Sequence, residues 1–493
     1  MPNSTFRLFT FIVDFITYEV TSVSPNTVEA IDYDMTGGTV VDIPANVSNS
    51  ATSYDVTAIN GNAFNSKGLT SVIISDNVTD IGNQAFVNNV LTSVVIGNSV
   101  ETIGSLAFDS NNLTSVVIPN SVTSIGARAF DDNQITDVII GSSVTNIEFA
   151  AFRNNPLETV ISLPITPPTI ITDPAYPGVV DSFSHDRSNI NLILTGNSTD
   201  EYVTDSGALW TGFKMVFEAT SATTTKVTDY DIANGAVVTI PNTVSVTSNV
   251  FEVTEIGQSA FENKGLTAVT IGDNVNNISI SAFENNTLTS VTIPDNVTVI
   301  GTSAFSLNSI NNLVIGDNVN IIGIGAFVNN SLTDITIPGN VTEIGLLAFG
   351  NNPSLASVTT FATVPPTITT GTNDTFIFDR SNTALHIPPG TMGAYVTDTG
   401  ALWTGFNPVT EDALGIDDFE LANTIKIITS ADKIEVIFSD IVRLENYTLY
   451  SITGNKVASG NTSEISTSFL AHGIYVIKLD FDKGSITKKV LIH

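Results

Sequence analysis

The chain has 493 residues, no cysteine and a formal net charge of −32. That length accommodates several domains, the lack of cysteine excludes a disulfide scaffold, and no apolar run of about 18 residues could cross a membrane as a helix. Residues 1–423 carry 42 acidic and nine basic side chains, net −33, whereas residues 424–493 carry seven acidic and eight basic, net +1; this argues for two kinds of domain and against nucleic acid as a partner of the acidic one.

Residues 6–16 (FRLFTFIVDFI) are interrupted by Asp14 and lack a following small-residue cleavage site, so they do not read as a signal peptide. A strand leading into Tyr18-Glu19-Val20-Thr21 and a first cap is expected, with an export signal missing from this N-terminus. Residues 27–60 contain IDYDMTGGTVVDIP, which reads as strand, turn, strand with Gly37-Gly38 at a hairpin tip.

From here a single pattern dominates. Ala-Phe recurs at Phe64, Phe86, Phe108, Phe130 and Phe152, and again at Phe261, Phe283, Phe305, Phe327 and Phe349, each step being 22 residues. A fixed period of this length marks stacked supersecondary units. In Leu113–Gln134 the apolar positions are Leu113, Val116, Ile118, Val122, Ile125, Ala129 and Phe130. The first three, on a Thr-rich and β-branched background, predict a short strand. Pro119-Asn120 turns the chain, and Val122 and Ile125 begin its return. Gly often follows that Ile, as at Gly82, Gly104 and Gly126, which reads as a tight turn. Seven apolar side chains close no core alone, but stacked coils share one. Asn stands three residues after Phe in eight coils, including Asn89, Asn111 and Asn133, and is replaced by Lys67 and Lys264 in the first coil of each series. An amide there can bond turn backbone in its own coil and a neighbouring one.

The signature L-T-S-V-x-I-P-x-x-V-T-x-I-G-x-x-A-F, nearly unbroken at Leu113–Phe130 and Leu288–Phe305, resembles the BspA-like leucine-rich repeats of bacterial surface proteins, although Asn stands where that family often has Cys. The resemblance spans most of residues 27–410. It implies a curved solenoid that binds or adheres, and no enzyme.

The five-coil series is itself duplicated at an offset of 197 residues. VTDYDIANGAVVTIP in residues 226–256 repeats the first cap, with Asn234-Gly235 at its tip. Each series closes alike, YVTDSGALWTGF (202–213) answering YVTDTGALWTGF (395–406). These segments hold both tryptophans, Trp210 and Trp403, which are expected to serve as lids on the solenoid ends rather than as sugar-stacking platforms.

An acidic linker, residues 411–423, then gives way to short alternating strands, KIEVIF, YTLYSI, GIYVIKLDF and ITKKVLI, which read as a small antiparallel β-sandwich. Tyr447, Gly454, Gly473, Tyr475, Lys488 and Lys489 carry a resemblance to the C-terminal sorting domain of the type IX secretion system, although the Pro-Asn-Pro that commonly opens such domains is absent. The resemblance implies interaction with that machinery, export across the outer membrane of a Gram-negative bacterium, and release or attachment at the cell surface. The expected organisation is mainly β: residues 1–218 and 219–410 as capped repeat blocks, 411–423 as linker and 424–493 as sorting sandwich.

No catalytic constellation stands out. Ser184-His185-Asp186 are adjacent, which gives no nucleophile–base–orienter geometry, and the duplicate of His185 is Phe378. No metal-ligand spacing or cofactor motif is present, and the many carboxylates sit in turns such as Ser75-Asp76-Asn77. The expected function is binding or adhesion to an extracellular protein or glycan through outward strand positions Thr70, Thr92, Thr114, Thr136, Thr267, Thr289 and Thr333. The alternatives are a secreted hydrolase with accessory repeats, for which no segment is left over, and a structural surface-layer component.

Overall fold

The computed structural model describes residues 9–170, 182–183, 187–196, 198–204, 210–247, 249–371, 374–376, 380–411, 425–429, 433–438, 443–451, 456–468, 470–471, 473–481 and 484–492. The chain divides into two compact units, Met1–Asn312 with Gly323–Asn330, and Leu313–Ile322 with Ser331–His493.

Each coil supplies two short strands. The L-x-x-V-x-I segment forms a first row, Ser71–Ile74, Ser93–Val95, Ser115–Val117, Asp137–Ile140 and Thr159–Ser162. The returning chain forms a second row, Asp80–Ile81, Thr102–Ile103, Ser124–Ile125 and Asn146–Ile147. Neighbours within a row pair in parallel at a 22-residue step, Val116 opposite Val138 and Ile103 opposite Ile125, except that the first row breaks between Ser93–Val95 and Ser115–Val117, which belong to separate sheets. All seven apolar positions of the coil from Leu113 are buried. The phenyl rings stack face to face through the first block, with centroids 5.0 Å apart at Phe64–Phe86 and 5.3 Å at Phe130–Phe152. Burying each ring contributes about 1.5–3 kcal/mol.

Sequence spacing does not reveal how the stacks end. Tyr33 covers Phe64 at 5.7 Å. At the other end a sixth ring, Phe183, stacks on Phe152, and Trp210 meets it edge-on at 5.1 Å. The second series closes identically, Phe349 stacking on Phe376 and Phe376 packing against Trp403. Both indoles are fully buried and donate to a proline carbonyl, Trp210 Nε1 to Pro168 and Trp403 Nε1 to Pro366, each at 2.9 Å. They are lids.

Three local expectations need correction. The N-terminal stretch is a hairpin, Thr10–Val13 against Ile16–Val23, because Asp14 and Phe15 both adopt left-handed backbone (φ 48° and 66°) and reverse the chain. Gly37-Gly38 and Asn234-Gly235 are not hairpin tips. Asn26–Tyr33 pairs with Ile16–Val23 and Thr52–Ile59, while Val40–Ile43 pairs with Ser71–Ile74, so the turn carries the chain from one sheet to the other. Asp34 supports it by accepting from the Thr36 N–H at 2.9 Å. Finally, Gly82, Gly104 and Gly126 have no positive φ. A Cβ on Gly104 would lie 2.6 Å from the Asn83 nitrogen, so glycine is required by close approach of successive coils. The left-handed residues flank each Phe instead, as at Leu106 (φ 59°) and Ser110 (φ 57°) around Phe108.

The Asn column binds the coil behind it. Asn89 Oδ1 accepts from the Lys67 and Leu69 N–H groups at 3.0 Å, and its Nδ2 donates to the Phe64 carbonyl at 2.8 Å and the Phe86 carbonyl at 2.9 Å. A first coil has no preceding coil to bind, and Lys67 and Lys264 there turn to the cap carboxylates Asp32 and Asp229 at 2.7 and 2.8 Å.

The two blocks are continuous in backbone hydrogen bonding. The first-row sheet of block one runs from Thr159–Ser162 to Asn191–Thr195 and then Met215–Ala219, all parallel. Met215–Ala219 turns back antiparallel onto Thr224–Tyr230, which pairs with Asn249–Ile256 and so enters the second row of block two. Beyond the repeats, two antiparallel sheets share one core. Lys426–Thr429, Lys433–Ile437 and Glu464–Ser466 form one sheet. Lys456–Gly460, Leu444–Ser451, Gly473–Phe481 and Gly484–Ile492 form the other.

Candidate binding face and sorting domain

Along each first-row strand, alternate side chains enter the core and the rest stand outward. Of the threonines predicted to form the outward face, Thr92, Thr114, Thr267, Thr289 and Thr333 are exposed and Thr70 and Thr136 are half-buried. They lie at the strand entrances, and several hydroxyls are committed internally. Thr70 Oγ1 donates to the Thr39 carbonyl at 3.1 Å, Thr92 Oγ1 to the Thr70 carbonyl at 3.3 Å, and Thr267 Oγ1 to the Ala236 carbonyl at 3.2 Å. Thr136 and Thr333 donate to the adjacent carboxylates of Asp137 and Asp334 at 2.7 and 2.8 Å. Their methyl groups and remaining lone pairs form the outward array.

Two further outward columns, not singled out by sequence reasoning, lie beside the threonines in block one. The first is Ser71, Ser93 and Ser115, with the Ser71 and Ser93 hydroxyls 3.1 Å apart. The second is Ile73, Val95 and Val117. The signal was present in the unassigned positions of L-x-x-V-x-I, but alternation alone does not say which face of a strand is left uncovered.

The electrostatics are one-sided. Among the described residues of the solenoid, Lys67, Arg128, Arg153, Lys226, Lys264 and Arg380 each pair with a carboxylate, leaving the acidic excess to the surface. Asp131, fully buried, receives Arg128 Nε at 2.7 Å and Arg153 Nη2 at 2.6 Å. One coil earlier, burial pushes the Asp109 carboxyl above its ordinary range. No cluster of three or more potential metal ligands occurs among the described residues, and none of their helices is long and apolar enough to cross a membrane. Ser184, His185, Asp186 and Phe378 lie outside the described residues.

In the C-terminal sandwich, Tyr447 and Tyr475 are buried on neighbouring antiparallel strands, Tyr475 donating to the Ala471 carbonyl at 3.0 Å. Gly473 opens the strand that carries Tyr475, while Lys488 and Lys489 stand exposed on the next one. Gly454 lies outside the described residues.

Comparison with known proteins agrees with this architecture. No curated protein sequence matches the chain. Among solved structures, the chain is similar to the pneumococcal vaccine antigen PcpA (17% identity, covering 78% of this chain and 94% of that one, TM-score 0.31). It is also similar to a leucine-rich repeat protein from Bacteroides ovatus (23%, 77% and 95%, 0.31) and a leucine-rich cell surface protein from Faecalibacterium prausnitzii (20%, 80% and 100%, 0.26). Residues 429–493 match the secretion system C-terminal sorting domain, an address for export to the cell surface or extracellular space. No catalytic family is indicated. Six copies of the BspA type leucine rich repeat region match residues 45–163 and 238–376, together just over half of the chain, which therefore belongs to the BspA-type leucine-rich repeat family.

Proposed function

We propose that this is a binding or adhesion protein of the bacterial surface, that its working part is the outward first-row face of the repeat blocks, and that it has no catalytic activity. The observation carrying this is the face itself: parallel strands in 22-residue register present columns of threonine, serine and valine to solvent with nothing from their own coils over them. A flat array of methyl and hydroxyl groups suits an extracellular protein or glycan. Thr70, Thr92, Thr114, Thr136, Thr267, Thr289 and Thr333 are the proposed contact positions. Residues 1–218 and 219–410 are the two binding blocks, 411–423 the linker and 424–493 the address, lost after export from a Gram-negative host as the protein is released or attached to the outer membrane.

Purified protein applied to glycan and extracellular-matrix arrays, beside a hydrolase panel, tests the proposal. Selective capture is expected, with Thr92→Arg and Thr114→Arg abolishing it at unchanged melting temperature. Hydrolysis without capture, or capture indifferent to both substitutions, refutes it.

A further inference from the structure

The exposed face differs between the two blocks at one column. In block one the column runs Asp42, Ile73, Val95, Val117, Ile139, Ile161, Ile193 and Phe217, fixed by the strand pairings on either side of the Val95-to-Val117 step of 22 residues. In block two its counterparts are Thr239, Thr270 and Thr292, then Val314 and Thr336, all exposed, so the blocks share a valine at one position and differ at the others. Alternation requires neither choice, since both residue types favour strands.

The column is open at one end and covered at the other. Ile73, Val95 and Val117 are 44%, 57% and 54% exposed, Ile139 is half-buried, and Ile161 is 4% exposed. The covering element is an extended strand of the second cap, Thr243–Val246, which runs alongside Asp137–Ile140 and Thr159–Ser162. This strand has adapted to that position. Val246 is completely buried, whereas its counterpart in the first cap is the half-exposed Asn49. The chain thus already seats one extended, β-branched segment on this face, and the apolar column continues from beneath it into solvent.

Charge restricts what else can sit there. From Val40–Ile43 to Thr159–Ser162, the charged residues on the first-row strands of block one and at their entrance positions are Asp42, Asp137 and Glu158; the first cation of the row is Lys214, at the entrance of Met215–Ala219 and beyond the covered Ile161. The surrounding solenoid is strongly acidic, which repels nucleic acid, anionic lipid and a second copy of the chain. We propose that the open column Ile73–Val95–Val117 is a docking site for an extended cationic polypeptide segment of a partner protein, its apolar side chains continuing the seat of Thr243–Val246 and its basic side chains facing the acidic surround. This rests on the binding role proposed above and assigns the partner class to block one.

The test uses the full chain and a fluorescently labelled peptide of alternating lysine and valine, with alternating glutamate–valine and lysine–serine peptides as comparators, followed by anisotropy. The lysine–valine peptide is expected to bind, more weakly as salt rises, and both comparators to bind far less. The double substitution Val95→Thr and Val117→Thr keeps side-chain volume and leaves the core untouched, and at position 95 it installs the residue that block two carries there, Thr292. It is expected to weaken binding about tenfold or more, because two methyl groups at the contact are exchanged for hydroxyls. Absence of binding, equal binding by the double variant, or valine-dependent self-association in sedimentation overturns the docking site. If array capture persists in the double variant while the peptide fails to bind, the binding role stands and only this partner assignment falls.

Discussion

Removing one rung of the asparagine ladder isolates what holds successive coils together. Asn111 is buried; its Oδ1 accepts from the Leu91 N–H at 3.0 Å and its Nδ2 donates to the Phe86 carbonyl at 3.0 Å and the Phe108 carbonyl at 3.1 Å. After Asn111→Ala both carbonyls keep a second donor, since Asn89 also reaches Phe86 and Asn133 also reaches Phe108. The Leu91 N–H, inside the core, loses its acceptor. One orphaned buried donor costs about 1–3 kcal/mol, which sets the expected loss. Asn111→Asp preserves the acceptor but turns an anion toward two carbonyls, so at neutral pH it should lose more than the alanine variant. Its folded-state carboxyl pKa is then raised, and the excess loss should shrink as pH falls and the group protonates. Lys67→Ala, in the coil without a predecessor, removes only a partly exposed ion pair with Asp32 and should cost about 0–1 kcal/mol. Equilibrium urea unfolding followed by circular dichroism measures all three. A loss at Lys67 equal to or greater than that at Asn111 would show that the ladder does not hold the coils together.

The ring stack predicts that Phe130→Ala and Phe349→Ala each cost about 3–5 kcal/mol in the same assay, because Phe349, last of its series, is itself covered by Phe376; a near-zero loss at either ring refutes it. Gly104→Ala should cost about 1–3 kcal/mol through collision with the preceding coil, and a neutral result would mean that the coils separate freely. Burial pushes the Tyr202 and Tyr395 hydroxyls up to about 12. Folded values above the unfolded value of about 10 mean that this stability is complete below about pH 10 and lost between about pH 10 and 12, by roughly 1.4 kcal/mol per pH unit for each group. Urea midpoints across that range test this, with Tyr395→Phe expected to flatten the slope. In a host with the type IX machinery and an export signal supplied, truncation after Asn423 should strand the repeats in the periplasm, and recovery of the truncated form outside the cell at full-length levels removes the sorting role.

The repeat period, the buried Phe and Ile rows, the duplication and the terminal sandwich were all legible in the linear chain, because a 22-residue recurrence can be satisfied only by equivalent environments in successive coils. The Asn column was legible for the same reason, and Lys67 and Lys264 even marked where each stack begins. Tertiary structure decided what depends on contacts between non-equivalent segments. It placed Phe183 and Phe376 as sixth rings although neither falls on the period, and it assigned the post-Ile glycines to backbone crowding and not to turning. It joined the blocks by letting Met215–Ala219 end one sheet row and begin the other. It also decided which part of the outward column is covered: Ile73 and Ile161 occupy the same register position, and only the fold, by laying Thr243–Val246 across the second, makes one surface and the other core.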